Sequence, residues 1–196
     1  MTERFRRLLV SRSARETAAL GARLGRALVA GDCVALVGEL GAGKPQLVRG
    51  ACQGARVPAN EVSSPSFAIV ATYGGRIPIH HADLYRIGDV DELYATGFFD
   101  LVGGAGAILV EWADRVPGAL PEERLTVTLS HDPRLPDVRR IELDGVGARH
   151  AALATRVVKG PTRTESKATR KTTRKTTRTE SKARKAPRRS ARRGLK

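Results

Sequence analysis

The chain has 196 residues, room for one domain with a real core and a small appendage. Its net charge of +15 is uneven: Thr162 to the end holds 15 Lys/Arg against 2 Asp/Glu, hence +13, while residues 1–161 hold the other 20 basic and 18 acidic residues. Two cysteines exclude a disulfide framework or a cysteine metal cluster. No apolar run reaches a membrane span and Leu8-Leu9-Val10 is too short for a signal-peptide core, so a cytoplasmic protein is expected.

In chain order, residues 4–11 read as an edge strand. Ser13-Ala14-Arg15-Glu16 is a capping box, in which a hydroxyl reaches the N3 amide and a carboxylate returns to the cap amide. The helix it opens puts Leu20, Leu24, Ala27 and Leu28 on one face and stops near Gly31-Asp32. Cys33 leads into the apolar strand Val34-Ala35-Leu36-Val37, and both Cys33 and Cys52 read as small buried hydrophobes.

Gly38-Glu39-Leu40-Gly41-Ala42-Gly43-Lys44 follows, G-x-x-x-x-G-K between a strand and a helix-compatible run, Gln46 to Gln53. That is the setting a phosphate-binding loop needs. Glycines let the backbone curl so that N–H groups point at a polyphosphate, a lysine adds a point charge, and the helix N-terminus favours anions. The next residue should be Ser or Thr, to hold magnesium, and the sequence has Pro45.

Residues 55–60 are a turn-rich connection. Ser66 to Tyr73 and Arg76 to Leu84 read as strands joined at Gly74-Gly75. Residues 89–96 make a short helix with Asp89 as a possible cap, and 104–106 a loop. Ala107-Ile108-Leu109-Val110 is a continuous apolar run, as in a strand covered on both faces, and it delivers Glu111-Trp112. Leu125 to Ser130 alternates, Val138 to Leu143 is another strand, and 148–158 is a short amphipathic stretch. The sum is an α/β domain over residues 1–160: a mixed sheet with a parallel core, antiparallel additions and helices on its faces.

From about Gly160 the composition changes. Residues 161–196 lack aromatics, and Thr162–Ala168 recurs as Thr177–Ala183 with no hydrophobic face to bury. Low hydrophobicity with high charge predicts a disordered basic tail. It is either a neutral solvated extension or an arm that binds nucleic acid non-specifically through phosphates. Stacking readout is not expected without aromatics.

In parallel sheets ligands sit outside the carboxyl ends of the strands, where this reading puts Asp83 and Glu111. Nucleotide hydrolysis needs phosphates positioned, magnesium held by oxygens and a water oriented. Asp83 and Glu111 supply acidic groups, and Ser64 and Ser66 lie on a loop able to respond to a γ-phosphate. Trp112 either stacks on a base or is ordinary packing. Asp83 also suits a turn or helix cap, and Glu111 an exposed strand end. His80 and His81 alternate across one strand: His81 is expected exposed, His80 either packed in the core or supporting Asp83. No His/Cys spacing suggests zinc.

Together these residues resemble a known family, the bacterial tRNA threonylcarbamoyladenosine biosynthesis ATPase TsaE, also called YjeE. The likeness spans most of residues 10–130. It rests on the loop Gly38–Lys44, on Ser63-Ser64-Pro65-Ser66-Phe67 (close to S-P-T-[FY]), and on His81-Ala82-Asp83-Leu84-Tyr85-Arg86 (H-x-D-L-Y-R). Asp91-Glu92-Leu93 with Gly97-Phe98, Glu111-Trp112-Ala113-Asp114-Arg115 and Leu120-Pro121 complete it, in family order.

The resemblance implies a small P-loop ATPase that binds ATP and Mg2+ and acts with TsaD and TsaB subunits in attaching threonylcarbamate to a tRNA adenosine, meeting tRNA indirectly. Carried over, Glu39, Leu40, Gly41, Ala42, Gly43, Lys44, Pro45, Gln46 and Trp112 are the nucleotide side. Asp83 is needed for hydrolysis together with Lys44, and Glu111 with Asp83 serves the metal. The family has Gly-Lys-Thr-[Thr/Ser] where this chain has Lys44-Pro45-Gln46. Pro45 removes a hydroxyl and an amide N–H, and disfavours a helical Lys44. The expectation is weak nucleotide binding and poor magnesium-dependent turnover. The alternatives are a binding subunit with a degenerate loop, or a metabolite kinase, which would need an acceptor lid that the sequence does not offer.

Overall fold

A computed structural model describes residues 2–65 and 68–159. The elements are β1 (Arg4–Ser11), α1 (Ala14–Ala27), β2 (Cys33–Val37), α2 (Lys44–Gly54), β3 (Val70–Tyr73), β4 (Ile79–Asp83), α3 (Val90–Tyr94), a 3-10 turn (Phe98–Asp100), β5 (Ala107–Glu111), β6 (Leu125–Asp132), β7 (Leu135–Val146) and α4 (Ala148–Lys159). The tail expected at 161–196, and Ser66 and Phe67, lie outside the described residues.

Among the described residues, seven strands form one sheet in the order β1-β7-β6-β2-β5-β4-β3. The inner four, β6-β2-β5-β4, are parallel; β3 adds antiparallel at one side, β7 and β1 at the other. This is the expected mixed sheet. Its two central strands, β2 and β5, are apolar up to the Glu111 that ends β5, as expected of strands covered on both faces. One face carries α1, α2 and α4, with Leu36, Leu109 and Val127 packed against Leu24, Val48 and Leu153. The other carries α3 and the 3-10 turn, with Cys33, Ile108 and Val110 packed against Leu93 and Phe98.

Local signals act as read, with adjustments. Ser13 Oγ accepts from the Glu16 amide at 3.1 Å, while the Glu16 carboxylate accepts from the Arg12 amide at 2.7 Å, one residue before the cap. The helix ends at Ala27, earlier than Gly31-Asp32. The strand expected from Ser66 starts only at Val70, because Ile69 has φ +64° and turns the chain. Asp89 caps α3 by accepting from the Glu92 amide. Both cysteines are buried, and burial pushes the Cys33 thiol up to about 12 and the Cys52 thiol up to about 11, as befits packing groups. Among the described residues no helix is long and apolar enough to cross a membrane.

α4 is pinned under the start of β2. The Arg149 guanidinium bonds the fully buried Asp32 carboxylate at 2.6 Å, and buried His150 accepts the Cys33 N–H at Nε2, 3.2 Å. That acceptor role requires a neutral ring. Burial, foremost, holds the His150 pKa below its ordinary value, and burial does the same to His80. The unfolded chain therefore binds more protons below its histidine pKa of about 6.5. Stability is full above that pH and declines as pH falls through 6.5 towards the lower folded value, by at most ~1.4 kcal/mol per pH unit for each imidazole. Melting temperatures from pH 7.5 to 5.5 should fall more steeply for the unaltered chain than for His150→Gln; parallel curves would show that His150 does not contribute.

Candidate functional site

The parallel strands β2, β4, β5 and β6 end at one edge of the sheet, and the candidate residues gather there. β2 passes directly into Gly38–Gly43 and then α2. Gly38, Gly41 and Gly43 have φ of +146°, +78° and +105°, a left-handed path that turns the loop around its own interior. A Cβ on Gly38 would run into the Leu129 carbonyl of β6.

Lys44 is the first residue of α2, although Pro45 follows it. The expected bias against a helical Lys44 does not prevail. Gly43 takes the left-handed cap conformation, and its carbonyl accepts from both the Gln46 and Leu47 amides, closing the first turn. Proline fits there because early helical amides have no intrahelical partner to lose. Pro45 is exposed and Gln46 half-buried; Leu40, at the loop tip, is 83% exposed and points its side chain to solvent.

The Lys44 ammonium is buried. It donates to the Gly38 and Glu39 carbonyls at 2.5 and 3.1 Å and sits 3.7 Å from the centre of the Trp112 ring. Burial lowers its pKa, and the carboxylates of Glu111, Asp114 and Asp83 oppose that shift. Trp112 has φ +58°, and its ring packs on Tyr85 at 5.0 Å, with the Arg115 guanidinium 5.8 Å from the centre of the Tyr85 ring. The strained backbone at Trp112 turns the chain just as β5 ends and brings the indole over the loop.

Asp83 and Glu111 are register partners across the parallel pair β4–β5, and Glu111 is also in register with Leu36 of β2. Both acidic residues therefore lie on the α2 face, on strands about 4.8 Å apart. Asp83 Oδ1 accepts from the Tyr85 amide at 3.0 Å. Glu111 is 4% exposed, not the exposed strand-end charge that was one reading of it.

His81 corrects the sequence reading. It was expected on a solvated face and is 3% exposed, with Nε2 2.8 Å from Glu111 Oε1. The reason is the layering: both faces of β4 are covered, so neither histidine reaches water. His80, on the opposite face, bonds the Thr72 hydroxyl through Nδ1 at 2.9 Å rather than supporting Asp83.

Several residues at the site carried no sequence signal of their own. Arg139 of β7 reaches the Gly41 carbonyl (3.4 Å) and His131 of β6 lies beside Gly41, since β6 runs parallel to β2 and ends next to the loop. Tyr73 donates its hydroxyl to the Ser63 carbonyl at 2.5 Å, tying the 63–65 segment to β3. Ser64 is exposed on that segment; Ser66 lies outside the described residues.

The donor set fits a magnesium ion shared with phosphates. Glu111 and Asp83 are hard oxygen donors in register beside Lys44. Among the described residues no group of three or more His, Cys, Asp and Glu could enclose a cation alone. Magnesium suits that arrangement, since it keeps several waters and takes one or two carboxylates plus substrate phosphates.

Residues 11–141 match the sequence model of the family described as threonylcarbamoyl adenosine biosynthesis protein TsaE. Curated relatives bear the name tRNA threonylcarbamoyladenosine biosynthesis protein TsaE. The one from Treponema pallidum is 39% identical over 120 residues, covering 61% of this chain and 88% of the relative. The one from Streptomyces coelicolor is 36% identical over 147 residues, covering 72% and 98%. The crystal structure of Bacillus subtilis YdiB is similar in fold, with a TM-score of 0.62 at 28% identity, over 81% of this chain and 97% of that one. A loop, two strand-end carboxylates and an indole in one place, within a family match that covers most of the domain, lead to one assignment: this chain belongs to the TsaE family of threonylcarbamoyl adenosine biosynthesis proteins.

Proposed function

We propose that the chain is the ATP-binding subunit of the machinery that makes threonylcarbamoyladenosine in tRNA, working in the cytoplasm with TsaD- and TsaB-type subunits. ATP is bound by the loop from Glu39 to Gln46, with Lys44 on the outer phosphates. The observation that carries this reading is the buried Lys44 ammonium at the start of α2, flanked by Asp83, Glu111 and Trp112. The relatives' shared name supports the tRNA-modification role.

In this reading Lys44 exchanges the Gly38 and Glu39 carbonyls for phosphate oxygens, and the loop amides and helix N-terminus orient the polyphosphate. Magnesium, bound with the nucleotide, would neutralise charge on the transferred phosphoryl group. Glu111 would hold that ion, Asp83 would contribute an oxygen to it, and Asp83 would also serve hydrolysis by orienting a water. Pro45 supports a second reading, in which the site binds nucleotide to assemble with partners and turns over little. The basic tail adds non-specific affinity for nucleic acid.

Trp112 is the only tryptophan in the chain and lies against Lys44, so its fluorescence reports on the site. Titrating ATP with and without magnesium should change that signal, weakly without the ion and more tightly with it. Lys44→Ala should lose at least ~10-fold in affinity, since a charge-assisted bond contributes ~1.5–3 kcal/mol. Unaltered ATP affinity in Lys44→Ala would refute a phosphate role for this loop.

A further inference from the structure

β4 puts Ile79, His81 and Asp83 on the face that β5 lines with Ala107, Leu109 and Glu111. His81 is paired in register with Leu109, so Glu111 is its diagonal neighbour, two residues on. The imidazole crosses that diagonal and meets Glu111 Oε1 at 2.8 Å, both groups being buried. A carboxylate only accepts, so Nε2 carries the proton and donates. His81 Nδ1 is buried without a partner.

Most of the positions around His81 on this face are apolar: Leu109 beside it, Ile79 two residues back, Tyr73 at 6.3 Å between ring centres. An aliphatic side chain there would pack without stranding a ring nitrogen. Burying a half-satisfied imidazole is unfavourable, and such groups call for a reason beyond packing. The bond it makes supplies one. Glu111 is a buried carboxylate at the last residue of β5, with several rotatable bonds between its backbone and its oxygens. The bond from His81 commits one oxygen and restricts its rotamer, so the carboxylate has a fixed orientation beside Lys44 and Asp83.

We propose that His81 is a positioning residue for Glu111, presenting its carboxylate to the magnesium ion that accompanies the nucleotide. This rests on the reading that Glu111 holds that ion. Partners that orient a ligating carboxylate typically contribute ~10–100-fold in metal affinity.

The test is magnesium titration of the full-length chain at fixed ATP, followed by Trp112 fluorescence, for the unaltered protein, His81→Ala, His81→Gln, Glu111→Gln and the His81→Ala/Glu111→Gln pair. Half-saturating magnesium should rise at least ~10-fold in His81→Ala. ATP affinity measured in chelator should stay within about twofold, a split that a loss of folding would not produce. The Gln side chain places an N–H donor close to the position of Nε2, so His81→Gln should recover most of the loss. In the Glu111→Gln background, His81→Ala should add little. If His81→Ala melts too low to assay, His81→Gln and the unaltered chain still decide, with His81→Leu, of similar volume and without a donor, as the loss variant. Equal magnesium dependence in all His81 variants, while the unaltered chain responds to magnesium, would overturn the positioning role alone. An unaltered chain that binds ATP with no response to magnesium would overturn the reading of Glu111, and the proposal with it.

Discussion

Replacing Pro45 by threonine should raise magnesium-dependent ATP turnover and tighten magnesium–ATP binding by ~10- to ~100-fold. The magnitude follows from what the substitution restores. Threonine brings back a backbone N–H at the second position of α2, aimed out of the helix start, and a hydroxyl at the place where this class of loop holds its metal. One charge-assisted bond contributes ~1.5–3 kcal/mol, or about one to two factors of ten. The fold gives no reason for the variant to misfold. Pro45 is exposed, its lost amide had no intrahelical partner, and Lys44 and Gly43 already hold the geometry that the loop requires. Proline does restrict the unfolded chain, so the variant should be less stable by ~0.4–1 kcal/mol. Stability and turnover should therefore move in opposite directions, which separates a repaired site from a generally better folded protein.

Steady-state phosphate release and calorimetric melting on the two proteins check both parts. Equal turnover would mean that the other oxygens at the site already suffice and that Pro45 is no defect. Faster turnover without better tRNA modification in a reconstituted system would favour the binding-only role. The result thus decides between the two readings as well as testing the residue.

How much of this site was legible in the sequence depends on how local each feature is. The loop, the strand before it and the helix after it are contiguous, so glycine spacing and the apolar run Val34–Val37 define them together. Glu111 and Asp83 are 28 residues apart in number but end adjacent parallel strands, and the strand-end rule places them correctly without coordinates. His81 was misplaced for a specific reason. Alternation along one strand assigns opposite faces to His80 and His81, yet it does not say whether both faces are covered. The signal was present one strand away: Ala107–Val110 is continuously apolar, so β5 is covered on both sides, and β4 pairs with β5. Arg139 and His131 reach Gly41 only because β6 is parallel to β2 and β7 returns beside it, a topology that residue patterns leave open. Trp112 lay in a recognisable motif, but its contact with Lys44 depends on a positive φ at a non-glycine residue, which composition does not announce.

Removing residues 162–196 should abolish most of the chain's affinity for nucleic acid and nearly all of its salt dependence. The segment holds 15 of the 35 Lys/Arg and a net charge of +13, so truncation takes the chain from +15 to +2. Phosphate neutralisation by Lys and Arg releases counterions, and the logarithm of affinity then falls linearly with the logarithm of salt. If the arm engages roughly six phosphates, the slope is about −4 to −5, and affinity falls on the order of 10³-fold between ~50 and ~200 mM salt. The truncated chain, nearly neutral, should show a slope close to zero. Binding should not distinguish sequences, because the segment has no aromatic residue to stack on bases. Fluorescence anisotropy of labelled tRNA and of an unrelated RNA, at several salt concentrations, measures both slopes. Unchanged affinity after truncation would leave the tail a solvated extension. A marked preference for tRNA that survives truncation would locate recognition on the folded domain, where Arg139 of β7 reaches the Gly41 carbonyl of the loop. Truncation should leave ATP binding at Lys44 unchanged, so loss of nucleic-acid affinity with an intact Trp112 response is the outcome that assigns the two functions to two parts of the chain.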